Sequence, residues 1–241
     1  MRAMILAAGL GKRLRPLTDH LPKALVPVAG KSLIEYHIDK LGAVGIDELV
    51  INTSWLGELI ERRLGDGAAL GARIQWSRES EPLETGGGIR RALPLLGPGP
   101  FVAISADIWS DYCYAHLPRA LSSTMLAHLV LVPNPTHNPD GDYGLDAGGM
   151  VRPRDSAAVS FTFSGLGVLA PELVADFPDG AVFPLRDALR RAIAAGAVSG
   201  ELHTGLWSDV GTPQRLALLE QQLAGGEASA AVAGCRGESR I

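Results

Sequence analysis

The sequence predicts an α/β fold, Rossmann-like in arrangement: a mixed, mostly parallel sheet with helices on both faces. Three observations predict it. Residues 3–8 are a continuous apolar run, the pattern of a strand buried on both faces, and 101–106, apolar but for Ser105, read as another buried strand. Stretches with helical spacing alternate with such runs along the first hundred residues. The connections are only a few residues long, which favours right-handed crossovers between parallel strands.

The elements follow in order. From Ser32, the residues Leu33, Ile34, Ile38 and Leu41 recur at helical spacing and stop at Gly42 or Gly45. Residues 48–52 read as a second buried strand. Leu56, Leu59, Ile60 and Leu64 mark a short amphipathic helix closed by Gly65. Residues 73–77 alternate with period two, a strand with one more exposed face. Thr85-Gly86-Gly87-Gly88 reads as the entry loop of a helix over 89–96, with Thr85 as its cap, and the run 101–106 ends in Asp107. The second half is less regular. Strands are expected at 127–132, 143–151 and 160–169, antiparallel because Gly148-Gly149 is a hairpin signal. Leu185, Leu189 and Ile193 mark a helix with Arg186, Arg190 and Arg191 on its other face. Residues 200–210 contain a strand, and Thr212 and Pro213 fit the cap and first position of a final helix through Leu216, Leu219 and Leu223. One domain is expected over 1–223, followed by a low-complexity tail, 224–241.

At 241 residues the chain is long enough for one large domain. A formal charge of −4 argues against a general nucleic-acid binder, which carries a basic stripe. No apolar segment approaches the ~20 residues that span a bilayer, so neither nucleic acid nor membrane is expected as a partner. The apolar stretch at 3–8 is too short for a signal peptide and runs straight into glycines. Cys113 and Cys235 show no metal-ligand spacing and are too few for a disulfide framework, which suits a reducing cytoplasm. A monomer or small homo-oligomer is expected.

Ligands of such sheets bind outside the carboxyl ends of the strands. The loop after residue 8, Asn52, the segment 81–88 and Asp107 all lie at such ends and should share one crevice. The loop reads Ala7-Ala8-Gly9-Leu10-Gly11-Lys12-Arg13-Leu14-Arg15-Pro16, with Lys23 further on. Its glycines let backbone N–H groups approach an anion and its cations neutralise one, which suits an extended polyphosphate. It is neither a Walker loop nor Gly-x-Gly-x-x-Gly, since position 14 is Leu. Pro16 and Pro22 fix φ and stiffen it. Asp107 among phosphates would be repelled unless Mg²⁺ bridged them; a turn or capping role is the alternative. Asp209 is not needed for the Thr212 cap and is free to be a second metal ligand. Gly86 and its neighbours would let a planar base or a sugar lie flat against the backbone, or simply form a helix entry. Asp142-Tyr143-Gly144 and Thr162-Phe163-Ser164-Gly165 are further candidates, each equally readable as a strand end. His37 reads as a packed helix residue, and the other histidines show no ligand spacing.

Residues 4–18, together with Pro22-Lys23-Ala24-Leu25-Val26-Pro27-Val28, resemble the signature of the sugar-1-phosphate nucleotidyltransferases, and the resemblance extends to about residue 223. Within that family, the short length, Glu81-Pro82-Leu83-Glu84-Thr85-Gly86-Gly87-Gly88 and the Trp207–Thr212 patch resemble the uridylyltransferases that act on N-acetylmuramate 1-phosphate in cell-wall recycling. The resemblance implies the nucleotide-diphospho-sugar transferase fold, UTP and a sugar 1-phosphate as substrates, Mg²⁺ as cofactor, and a UDP-sugar and pyrophosphate as products. It places Ala8, Gly9, Gly11, Lys12, Arg13, Lys23, Gly86 and Ser105 at the nucleotide. It places Asp107 and Asp209 at Mg²⁺, and Asp142, Gly144 and Ser164 at the sugar phosphate, with Arg13, Lys23 and Asp107 catalytic. The family's Asn-Gly-Asp at the end of the fourth strand is Ser105-Ala106-Asp107 here; Ser is shorter than Asn, so a contact made there is weakened or bridged by water. Two alternatives stay open. One is a guanylyl- or thymidylyltransferase acting on mannose, heptose or glucose 1-phosphate. The other is a catalytically inactive nucleotide-sugar-binding regulator, disfavoured because Arg13, Lys23, Asp107 and Asp209 are all retained.

Overall fold

A computed structural model describes residues 1–225. The expected tail, 224–241, falls outside the described residues from 226 onward, as does Cys235.

Strand β1 (Ala3–Leu6) opens the chain. After a long loop, the small hairpin β2 (Pro27–Val28) and β3 (Lys31–Ser32) runs into α1 (Leu33–Ala43). Then come β4 (Glu48–Thr53), α2 (Gly57–Leu64), β5 (Arg73–Arg78), α3 (Glu84–Leu96), β6 (Phe101–Ser105) and β7 (Ile108–Ser110). The second half holds β8 (Ala127–Val132), β9 (Tyr143–Leu145), β10 (Val151–Pro153), β11 (Ser160–Leu169), α4 (Glu172–Ala175), α5 (Leu185–Ala194), β12 (Val198–Leu202), β13 (Trp207–Asp209) and α6 (Pro213–Ala224).

The nine-stranded sheet is mixed, as the sequence predicts. Its N-terminal half, in the order β5-β4-β1-β6, is parallel throughout. Strand β11 then lies antiparallel to β6 and carries β8 and the β9–β10 hairpin on its other side, with β12 parallel to β8. Period-two alternation sends the side chains of β1 to opposite faces. Ala3 and Ile5 join Ile34 and Ile38 of α1 and Ile60 of α2, while Met4 joins Ile89 of α3 and Leu189 of α5. Helix α1 starts at a capping box between Ser32 and Glu35. A third cluster ties Leu219 of α6 to Leu14, Val26 and Val28, so the last helix packs on the opening loop.

Three features differ from the sequence reading. Helix α3 starts at Glu84 rather than 89, so Gly86, Gly87 and Gly88 lie inside its first turns. The reason is packing: a Cβ on Gly86 would stand 2.3 Å from the Phe183 ring, and one on Gly87 2.2 Å from the Ala181 carbonyl oxygen. Thr85 does not cap the helix; its Oγ1 accepts from the Leu185 N–H at 2.8 Å. The stretch 143–151, expected as one strand, is instead two, β9 and β10, joined through the turn at Gly148.

His37 is buried in α1, as expected, with Nδ1 2.7 Å from the Tyr114 hydroxyl and no partner for Nε2. Burial, with the Lys40 charge, pushes its pKa down from 6.5 to about 4. Below pH 6.5 the unfolded ring takes up a proton that the folded ring refuses, so stability falls with pH and the loss is complete near pH 4. This group alone should remove about 3 kcal/mol across that window. Urea unfolding at stepped pH checks it: His37→Asn should show a shallower slope than the wild type, and equal slopes would rule the assignment out.

Candidate active site

The opening loop is held from both sides. Where β1 ends, the Ala7 N–H donates to Asn52 Oδ1 at 2.8 Å, and Asn52 Nδ2 donates to Glu79 Oε1 at 2.7 Å. The second Glu79 oxygen accepts from the Leu83 N–H at 2.9 Å. Asn52 and Glu79 are both buried, so the carboxyl ends of three parallel strands are locked together by one polar network. Further along, Gly11 takes φ +61° and its carbonyl accepts from Thr18 Oγ1 at 2.7 Å. A side chain at Gly11 would meet Thr18 Cγ2 at 2.9 Å, so the tight turn depends on glycine.

A cavity of about 410 Å³ lies under this loop, bounded by Lys12, Lys23, Asn52, Glu79 and Asp107. A second, of about 390 Å³, runs on from it: Leu6, Thr85, Ser105 and Asp107 line both. The second continues to Trp207, His137, Arg186 and Asp209. The two form one long cleft with Asp107 at the join.

Backbone pairing holds the segments that carry Asp107 and Asp209 next to each other, and both residues line the second cavity. Strand β13 runs antiparallel to β7 with Asp209 opposite Ile108, and the Val210 N–H donates to the Asp107 carbonyl at 2.8 Å. Each carboxylate has its own cation. Lys23 Nζ pairs with Asp107 Oδ2. Arg215 Nη1, from α6, donates to both oxygens of Asp209 at 2.8 and 2.9 Å, and His137 Nε2 stands 3.0 Å from Asp209 Oδ1. Asp209 is therefore engaged by α6 through Arg215, while the cap of α6 is made by Thr212 without it, as expected. Asp107 Oδ1 has no protein partner among the described residues. Two carboxylates lining one cleft, completed by phosphate oxygens and water, are the donor set that Mg²⁺ takes, so these residues fit that ion.

The other predicted residues divide into two groups. Ala8, Gly9, Lys12 and Lys23 line the first cavity, Ser105 the junction, and Ser164 the second cavity. Gly11 shapes the loop behind them. Arg13 is exposed, with its guanidinium beside Gly211 and Arg215 at the mouth of the site. Ser164 Oγ is committed internally, donating to the Val130 carbonyl at 2.6 Å. Gly86 lines neither cavity; its N–H donates to the Phe183 carbonyl at 2.9 Å, so its lack of a side chain serves helix packing rather than a flat base. Asp142 lines a third cavity with Arg154 and Arg190, and its Oδ2 accepts from the Phe163 N–H at 2.8 Å. A Cβ on Gly144 would meet Ala157 Cβ at 2.1 Å. Neither lines the joined cleft, although the third cavity adjoins it through Tyr143 and Arg186, which line both. Thr85 falls in the segment 81–88 that was expected at the crevice. Glu79, His137, Arg186 and Arg215 were not predicted as site residues; Glu79 follows the end of β5, so the strand-end rule could have found it, and the others have no local signal.

Residues 2–159 match the nucleotidyl transferase family. The chain is 48% identical to the N-acetylmuramate alpha-1-phosphate uridylyltransferase of Neisseria meningitidis, over 90% of this chain and 95% of that protein. It is 39% identical to the protein of the same name in Caulobacter vibrioides, over 92% and 96%. Its fold is shared with HddC from Yersinia pseudotuberculosis, at a TM-score of 0.77 and 21% identity, over 92% of this chain and 99% of that one.

Removing the Asn52 side chain would leave the buried Ala7 N–H and a Glu79 oxygen without their partner. Asn52→Ala should cost about 2–3 kcal/mol, read from the denaturant midpoint, and should weaken nucleotide binding in calorimetry. An unchanged midpoint would mean that the network does not hold the loop.

Proposed function

The chain belongs to the nucleotidyl transferase family, and we propose that it transfers the uridylyl group of UTP to N-acetylmuramate 1-phosphate, giving the UDP-sugar and pyrophosphate. One observation carries the reading: two cavities of similar size meet at Asp107, which pairs with Lys23 of the first, so that two phosphorylated substrates would meet phosphate to phosphate. Kinship with uridylyltransferases named for that sugar, along nearly the whole chain, supports the choice of base and sugar.

In this reading UTP lies under the opening loop and the sugar phosphate occupies the second cavity. An oxygen of the sugar phosphate attacks the α-phosphorus in line. The bond from that phosphorus to the bridging oxygen breaks, and pyrophosphate leaves with the electron pair. The attacking oxygen is already an anion at neutral pH, so no residue has to remove a proton. Catalysis then rests on positioning and on charge stabilisation. Lys23 is paired with Asp107 in the resting protein and stands where incoming phosphate oxygens can take over its charge. Lys12 and Arg13 offset the triphosphate from the loop. Asp107 and Asp209 are the residues that would hold Mg²⁺, which when bound offsets negative charge between the phosphates. Arg215 and His137 keep the Asp209 carboxylate aimed at the cleft. UTP is a cytoplasmic metabolite, which favours the cytoplasm as the site of action, and the product would return a wall sugar to peptidoglycan synthesis.

A pyrophosphate-release assay over four nucleoside triphosphates and the 1-phosphates of N-acetylmuramate, N-acetylglucosamine, mannose and glucose tests the reading. UTP with N-acetylmuramate 1-phosphate should exceed every other pair by at least about tenfold; a faster GTP–mannose pair would overturn it. Asp107→Asn should lower kcat by about 10²–10³-fold with an unchanged unfolding midpoint, and chelation should abolish turnover until Mg²⁺ is restored. Near-wild-type turnover by the variant would remove Asp107 from the mechanism.

A further inference from the structure

Building on that substrate reading, we propose that Arg186 selects the sugar by its acidic substituent, pairing its guanidinium with the lactyl carboxylate of N-acetylmuramate. Arg186 would then be a specificity-determining residue that favours an acidic sugar phosphate over a neutral one.

The charge layout of the second cavity leads there. Arg186 is the one Lys or Arg among the residues that line it. The cavity's two carboxylates, Asp107 and Asp209, already have Lys23 and Arg215. Arg186 itself makes no hydrogen bond or ion pair among the described residues. It sits in the first turn of α5, where the positive end of the helix dipole disfavours a cation. Its position therefore has an electrostatic cost and no structural return.

The residue is also held in place. The Leu185 N–H donates to Thr85 Oγ1 at 2.8 Å, and the Phe183 N–H donates to the Leu83 carbonyl at 3.2 Å. The start of α5 is thereby stitched to the start of α3, and Thr85 lines both cavities. Its backbone is anchored while the exposed guanidinium stays unpaired among the described residues, and a guanidinium at the sugar end of the cleft can match a carboxylate through two parallel, charge-assisted bonds. A neutral sugar seated in the same place would draw Arg186 away from water without supplying a partner. Sites built to bond a particular group reject analogues that lack it. Arg186 stands between the second cavity and the third, which it also lines, with Arg154, Arg190, Asp142 and Asp155. Those two acids temper the cationic background, so the direct pairing of Arg186 rather than the general field must do the selecting.

The test compares N-acetylmuramate 1-phosphate with its lactyl methyl ester, with UTP fixed, in the wild type and in Arg186→Gln. The wild type should lose about 10–100-fold in kcat/KM when the carboxylate is esterified. Arg186→Gln should treat acid and ester alike, at a value near that of the wild type with the ester, with the loss mainly in KM. Arg190→Gln, which removes a charge one turn further along α5, should keep the wild-type preference for the acid. A wild type active on the acid but indifferent to esterification would overturn this proposal alone. So would a full acid-over-ester preference retained in Arg186→Gln, or an equal preference lost in Arg190→Gln. A wild type inert on the acid yet active on another sugar 1-phosphate would instead overturn the substrate reading on which the proposal stands.

Discussion

Two carboxylates line one cleft, Asp107 and Asp209, and each is matched by a cation brought from a distant part of the chain. Backbone pairing between β7 and β13 holds the two segments that carry them next to each other. An unpaired carboxylate in a partly buried cleft is costly. The cations come from opposite ends of the described chain: Lys23 from the opening loop and Arg215 from α6. For both cations to reach the acids, α6 has to pack against the opening loop. The cluster of Leu14, Val26, Val28, Val210 and Leu219 achieves that. The phosphate loop, the acid pair and the last helix are therefore one electrostatic unit.

The parallel half of the fold was legible in the sequence because its signals are local. Apolar runs of strand length, helical spacing, and glycines at the ends of helices are written within a dozen residues of one another. The same holds for the opening loop, whose glycines and cations are adjacent. The convergence of that loop with Asn52 and Asp107 followed from the strand-end rule alone, and the structure places all three on the first cavity. The partners of the acids were not legible. His137 lies in a turn-rich stretch and Arg215 inside a helix pattern, and only tertiary packing brings either to Asp209.

Glycine was the residue most easily misread. At Gly11 the sequence suggested a tight phosphate turn, and a φ of +61° against Thr18 is what the chain adopts. At Gly86 the same residue type has a different purpose. There the missing side chain admits the Phe183 ring, and α3 begins at Glu84, five residues before the expected start at 89. Close approach to a ligand and close approach to another helix leave the same mark in a sequence. Only the identity of the neighbour separates them, and that neighbour is about a hundred residues away in the chain.

The pairing of Asp209 with Arg215 also bears on how the protein comes into being at the ribosome. The β5-β4-β1-β6 half of the sheet and the helices α1 to α3 are complete once residue 105 has been made, and the sheet's antiparallel strands by residue 169. The wall of the first cavity can thus take shape early, since every residue that lines it lies before residue 108. Asp209, the helix that neutralises it, and the hydrophobic contact that seats that helix on the opening loop are all among the last residues described. A nascent chain therefore holds the first cavity long before it holds the second acid of the cleft.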